Sequence, residues 1–115
     1  MSYDLRVAVK VEGCDKYADI RSPEFDSPTY NLCDMFVACM NWDYEQGEYY
    51  LAEFGLGKIL NGIKELTDNR KKYEKYNSPN GWGSIDDAIE ALISWRDCIY
   101  ECNEEFPIEC LYIAW

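Results

Sequence analysis

Between Leu5 and Glu12 apolar and polar positions alternate, Leu5, Val7, Val9 and Val11 interleaving with Arg6, Ala8, Lys10 and Glu12. A period of two, rich in β-branched residues, predicts a half-buried strand that Gly13 closes. Tyr17–Ile20 reads as a short second strand, hairpinned to the first through Cys14–Lys16. The stretch SPEFDSP, with Pro23 and Pro28, is an irregular connection. From there the period lengthens. Leu32, Met35, Phe36, Cys39 and Met40 recur at helical spacing, and Asn31 is a good N-cap with Asp34 three residues on. These features predict a first helix over 31–41. NWDYEQGEYY breaks the pattern and reads as an exposed loop. A second helix is predicted from Leu51 to Tyr76, its core face including Phe54, Leu56, Ile59, Leu60, Ile63 and Leu66. Gly55, Gly57 and Gly62 either weaken that helix, by up to about 1 kcal/mol each relative to Ala, or mark close approach of another backbone. NSPNGWGS is a dense turn cluster. Ser84 followed by Asp87 resembles a capping box, and it opens a third helix. Ile85, Ala88, Ile89, Leu92, Ile93, Trp95, Ile99 and Cys102 give that helix a wide apolar stripe, with Pro107 beyond its end. CLYIAW reads as a final strand.

Three amphipathic helices cannot bury their stripes on one another and leave a lone strand exposed. The economical arrangement is α+β: three helices packed on one face of a small antiparallel sheet, formed by the N-terminal strands and the C-terminal strand. Neither a repeat nor a linker interrupts the chain, so residues 1–115 read as a single domain.

At 48% hydrophobic and 16% aromatic residues the chain is too apolar for a disordered acidic tail. Its charge is nonetheless −11, with no histidine. The distribution matters more than the sum. Residues 1–21 are neutral, and 22–57 hold seven acids and no Lys or Arg. Residues 58–75 carry +3, and 76–115 carry −7. A basic helix is thus expected between two acidic segments. Direct contact with nucleic-acid backbone is disfavoured, since each phosphate contact relies on a Lys or Arg. Anionic membrane surfaces are disfavoured for the same reason, and no segment approaches the roughly 20 apolar residues that span a bilayer. A basic protein surface is the favoured partner electrostatically; the plainer alternative is that acidity keeps the protein soluble. The opening MSYDLRVAVKVEG lacks the pattern of a signal peptide, so a cytoplasmic location is expected. In a reducing compartment the six cysteines read as small buried apolar residues, against three disulfides in a secreted chain.

Without histidine, Ser-His-Asp and Cys-His devices and imidazole metal ligands are excluded. Gly55, Gly57 and Gly62 lack the Lys-Ser/Thr ending of a phosphate loop. Cys33, Cys39, Cys98 and Cys102 could supply four thiolates to zinc, but the short CxxC knuckles of such sites are missing. No catalytic residue, metal or cofactor is therefore expected. Asp86, Asp87 and Glu90 open the third helix, while Asp97, Glu101, Glu104 and Glu105 line its later turns. They read as a solvated face, or as part of a recognition surface. Trp42, Asp43, Tyr44, Glu45, Glu48 and Tyr49 form an acidic aromatic loop, and Trp82 sits in the turn before the third helix. Aromatic anchors ringed by carboxylates suit an Arg-rich partner, unless Trp42 and Trp82 instead plug the core. The candidate partner-binding set is thus Trp42, Asp43, Tyr44, Glu45, Glu48, Tyr49, Trp82, Asp86, Asp87, Glu90, Asp97 and Glu101.

SYDLRVAVKVEG, SPTYNL, WDYEQGEYY, GIKEL, NGWGS and LYIAW together resemble a family of small acidic uncharacterised proteins from phages and mobile elements of gut bacteria. The resemblance implies a context but assigns no residue a role. In that context it implies a non-catalytic inhibitor of a host defence protein, acting as a nucleic-acid mimic on a basic groove. A nucleotide sponge with an aromatic pocket, using Lys71, Lys72 or Arg70 on phosphates, is the alternative. A structural subunit or homo-oligomer is the third reading.

Overall fold

The computed structural model describes residues 5–23, 32–43, 45, 47–77 and 84–115. Strand β1 (Arg6–Lys10) forms where the alternation predicts it, and turns back through Val11–Lys16 into β2 (Tyr17–Arg21). The first helix, α1, covers Cys33–Met40 and buries Met35, Phe36, Cys39 and Met40. Its expected cap, Asn31, lies outside the described residues. A two-residue strand, β3 (Tyr50–Leu51), then leads directly into α2 (Ala52–Asp68). After α3 (Arg70–Tyr73) and a single 3-10 turn, α4 (Ile85–Asn103) and β4 (Leu111–Ala114) complete the chain.

The architecture is α+β, with a four-stranded antiparallel sheet in the order β2-β1-β4-β3. The N- and C-terminal strands pair at its centre, Arg6 opposite Ala114 and Val9 opposite Leu111. Two features depart from the sequence reading. The stretch expected as loop contains β3, whose Tyr50 and Leu51 pair with Ile113 and Tyr112. The helix expected over 51–76 is broken at Asn69, whose φ of −124° and ψ of 42° leave the helical region. Asparagine hydrogen-bonds locally and favours such ends, and here its side chain reaches the Glu65 carboxylate.

Helix α2 buries Ile59 and Leu66 of the expected face and packs Leu56 and Ile63 against the core, but is rotated away from Phe54 and Leu60. Its buried residues are Ala52, Gly55, Ile59, Gly62 and Leu66, whereas Phe54 is 62% and Leu60 40% exposed. The glycines explain the rotation: a Cβ on Gly55 would fall on Ile113, and one on Gly62 would lie 2.7 Å from Met40 Cγ. The close neighbours are side chains rather than another backbone. Helix α4 begins as the sequence indicates. The Ser84 hydroxyl accepts from the Asp87 amide and the Asp87 carboxylate accepts from the Ser84 amide.

The main core lies between the helices and one sheet face, and includes Val7, Phe36, Ile59, Leu92, Trp95 and Ile113. Trp42 belongs to it, 5.6 Å from Trp95 and 5.7 Å from Trp115 between ring centres. The Trp95 indole donates to the Arg6 carbonyl and ties α4 to the sheet. Opposite the helices, Ala8 and Ala114 are fully buried as well. Ala8 stands opposite Tyr112, which gathers with Tyr17 and Tyr49 into a tyrosine cover on that face. Register decides which β2 residues join that cover. Val7 pairs with Arg21 but Ala8 pairs with Asp19, so Ile20 is the extra residue of a β-bulge. Asp19 therefore faces outward, while Arg21 turns toward α4 and pairs with Glu101. Among the described residues no helix is long and apolar enough to cross a membrane.

Candidate interaction surface

The twelve residues singled out from the sequence do not form one surface. Trp42 is buried at 4% exposure, so it plugs the core and cannot be an exposed anchor. Tyr44 and Trp82 lie outside the described residues. Asp86, Asp87 and Glu90 sit at the start of α4 and Asp97 and Glu101 farther along it. From Asp86 to Glu101 the helix rises roughly 22 Å, more than two Debye lengths at physiological salt.

Cations also meet several of these carboxylates, which corrects the expectation of a basic helix standing apart from acidic flanks. Lys58 reaches Asp43 at 3.6 Å, Arg70 reaches Asp86 at 2.9 Å, Arg96 reaches Asp97 at 3.0 Å, and Arg21 pairs with Glu101. Asp87 is committed to the helix cap. These pairs are exposed and contribute little stability, about 0–1 kcal/mol each, but they locally cancel the charge offered to a partner. Glu45, Glu48 and Glu90 are exposed and join no ion pair among the described residues.

The acidic loop is held in place by backbone and side-chain bonds. The Gly47 amide donates to the Trp115 carbonyl at 2.8 Å, and the Glu45 amide donates to the Tyr50 hydroxyl at 3.0 Å. Lys58 fastens the loop's beginning to α2, donating to the Asn41 carbonyl at 2.8 Å as well as meeting Asp43. The loop's end is fixed by Tyr49, which crosses the outer sheet face. Its hydroxyl donates to Asp19 at 2.9 Å, its ring stacks on Tyr17 at 4.3 Å, and the Arg6 guanidinium lies 5.4 Å above it. Tyr112 packs edge-on against Tyr17. Burial, with the Asp19 hydrogen bond after it, raises the Tyr49 pKa.

Of this cluster only Tyr49 was singled out from the sequence. Tyr17, Tyr112, Arg6 and Asp19 were not, although Arg6, Ala8 and Lys10 alternate with Val7 and Val9 on β1, and Tyr112 alternates with Leu111 and Ile113 on β4. That alternation is the signal for a second covered face. Phe54 was assigned to the core. It is the third residue of α2, one helical turn before Lys58, and stands exposed. Neighbouring Glu53 is also exposed.

Burial disfavours the thiolate at three of the cysteines. All six cysteines are unpaired. Burial pushes Cys39 up to about 12 and Cys98 up to about 11, and raises Cys102 too. A cysteine nucleophile needs the opposite shift. Among the described residues no three Cys, Asp or Glu side chains gather where they could hold a metal ion. A shallow concavity lined by Thr67, Asp68, Asn69, Arg70, Lys71 and Lys72 presents cations, but Trp42 is not in its lining. Comparison with protein-family models, with curated proteins and with solved structures finds no match to the chain. The surface itself is an anchored acidic loop on an α+β scaffold.

Proposed function

We propose that the protein is a non-catalytic binding protein whose acidic loop engages a basic surface on another protein. One observation carries the reading: Glu45 and Glu48 are exposed, free of ion pairs among the described residues, and mounted on a loop fastened at Gly47 and Tyr49. A loop ordered before binding loses less entropy on association, so its charge is used efficiently. The high pKa values of Cys39 and Cys98 support a role without a thiol nucleophile. The family resemblance suggests one form of this activity, inhibition of a host defence protein by occupying its nucleic-acid groove.

The test is capture of partners from host lysate at about 50 mM salt, followed by affinity measurement on the purified complex. Binding should weaken at least tenfold between about 50 and 200 mM salt, as expected when several charge contacts are screened. A flat salt response would remove the electrostatic reading.

A further inference from the structure

We infer that Cys98 and Cys102 form a two-thiolate site for a soft monovalent cation, copper(I) being the ion that fits it. The site lies on a different element from the acidic loop and goes beyond the binding role proposed above. The two cysteines stand four residues apart on α4, so they share a face, with Cβ atoms roughly 5–6 Å apart. Two metal–sulfur bonds of roughly 2.3 Å, the length of a zinc–thiolate bond, span roughly 4.6 Å when laid in line. Both thiolates can therefore reach one ion without any change in the helix. The side chains are nearly buried, at 7% and 6% exposure. Cys98 nevertheless lines an open cleft of about 370 Å³ together with Arg21, Ser94 and Glu101, which gives an ion a way in.

The number of ligands selects the metal. Structural zinc takes four, and among the described residues no three Cys, Asp or Glu side chains gather to hold an ion. Thiolates select soft ions, and two of them satisfy copper(I). The surrounding charge favours the loaded pair over a bare one. Arg21, on β2 and paired with Glu101, acts on both thiols and favours their ionised form. A copper(I) ion with two thiolates carries one negative charge, which that guanidinium offsets. Without the ion the thiols stay protonated. Burial, with Glu101 after it, holds Cys98 up at about 11, and burial raises Cys102 too; Asp97 and Glu105 push the same way. Binding thus forms two copper–sulfur bonds, releases two thiol protons to solvent and leaves the metal's oxidation state unchanged.

The test titrates copper(I), kept reduced with ascorbate under nitrogen, against a coloured copper(I) chelator. It uses the full chain carrying Cys14→Ser, Cys33→Ser and Cys110→Ser, which removes the thiols that are not buried. One ion should bind per chain. Its apparent affinity should rise about a hundredfold per pH unit near neutrality, about tenfold for each proton displaced. Adding Cys98→Ala or Cys102→Ala should abolish the one-to-one binding, while Cys39→Ala leaves it unchanged. Arg21→Gln should weaken it about tenfold, as expected for a group that acts on the ligands rather than the ion. Melting curves establish that each variant is folded, alanine being chosen because free cysteine packs as a small apolar residue. If an alanine variant unfolds, X-ray absorption at the copper edge of the loaded parent chain decides: two sulfur neighbours support the site, and three or more overturn it. A chain that retains no copper(I), a response of about tenfold per pH unit, or unchanged binding in Cys98→Ala also overturns it. The acidic loop is untouched by any of these outcomes, so the binding role stands or falls separately.

Discussion

Gly57 and Gly62 lie five residues apart on α2 and obey opposite rules. At Gly57 an added Cβ meets nothing within 4 Å, so Gly57→Ala should raise stability by about 1 kcal/mol through helix propensity alone. At Gly62 the same methyl lies 2.7 Å from Met40 Cγ, 3.0 Å from Leu92 Cδ1 and 3.3 Å from Cys39 Sγ. Overpacking there outweighs propensity, and Gly62→Ala should cost about 1–3 kcal/mol, read as a lower melting temperature. The thiols give a second residue-scale prediction. Cys39 and Cys98 have folded pKa values of about 12 and about 11, above the ordinary 9.0. The folded state therefore holds protons that the unfolded state releases. Stability from these groups is complete below pH 9 and is lost as pH rises toward the folded values. Denaturant midpoints at pH 8, 9 and 10 should fall accordingly, and less steeply in Cys39→Ala. With a thiol-specific reagent, exposed Cys14 and Cys110 should react first.

At the scale of elements, the strength of each sequence signal decided what could be read. The β1 alternation, the α4 stripe and the Ser84–Asp87 cap are local patterns repeated over enough residues, or specific enough in chemistry, to fix their elements. Ser84→Ala should cost about 1 kcal/mol in chemical denaturation, and nearly nothing further should follow from adding Asp87→Ala if the two act as one cap. β3 was not legible, because two residues cannot display a period. The face of α2 was misplaced for a subtler reason. Its apolar residues spread widely around the helix, and two of the five buried positions are Gly55 and Gly62. Glycine contributes nothing to a hydrophobic pattern, so the pattern shifted toward Phe54 and Leu60. Phe54 and Leu60 stand exposed instead. The tyrosine cover yields a further test. Tyr49→Phe keeps the stack on Tyr17 but loses the bond to Asp19, and should cost about 1 kcal/mol. Hydrogen exchange at Gly47 and Glu48 should then quicken.

For the whole molecule, the net charge of −11 sets the response to salt. The six ion pairs among the described residues each join one cation to one carboxylate and so leave the acidic excess in place, and self-repulsion opposes the compact state. Raising sodium chloride from about 20 to 200 mM should therefore raise the melting temperature while weakening any cationic partner. Charge blocks along the chain were legible, but their neutralisation was not. Lys58–Asp43 and Arg70–Asp86 join the basic helix to acidic segments on either side of it in sequence, pairings that exist only once the chain is folded.

The bulge at Ile20 has a consequence for the outermost strand. It sends Asp19 to the tyrosine side beside Arg6, and Arg21 to the helical side beside Glu101. A slip of β2 by one place would exchange them, setting arginine against arginine above the sheet and carboxylate against carboxylate below it. The two ion pairs thus act less as cement than as a key, admitting a single alignment at the edge where a wrong one would otherwise be easiest to adopt.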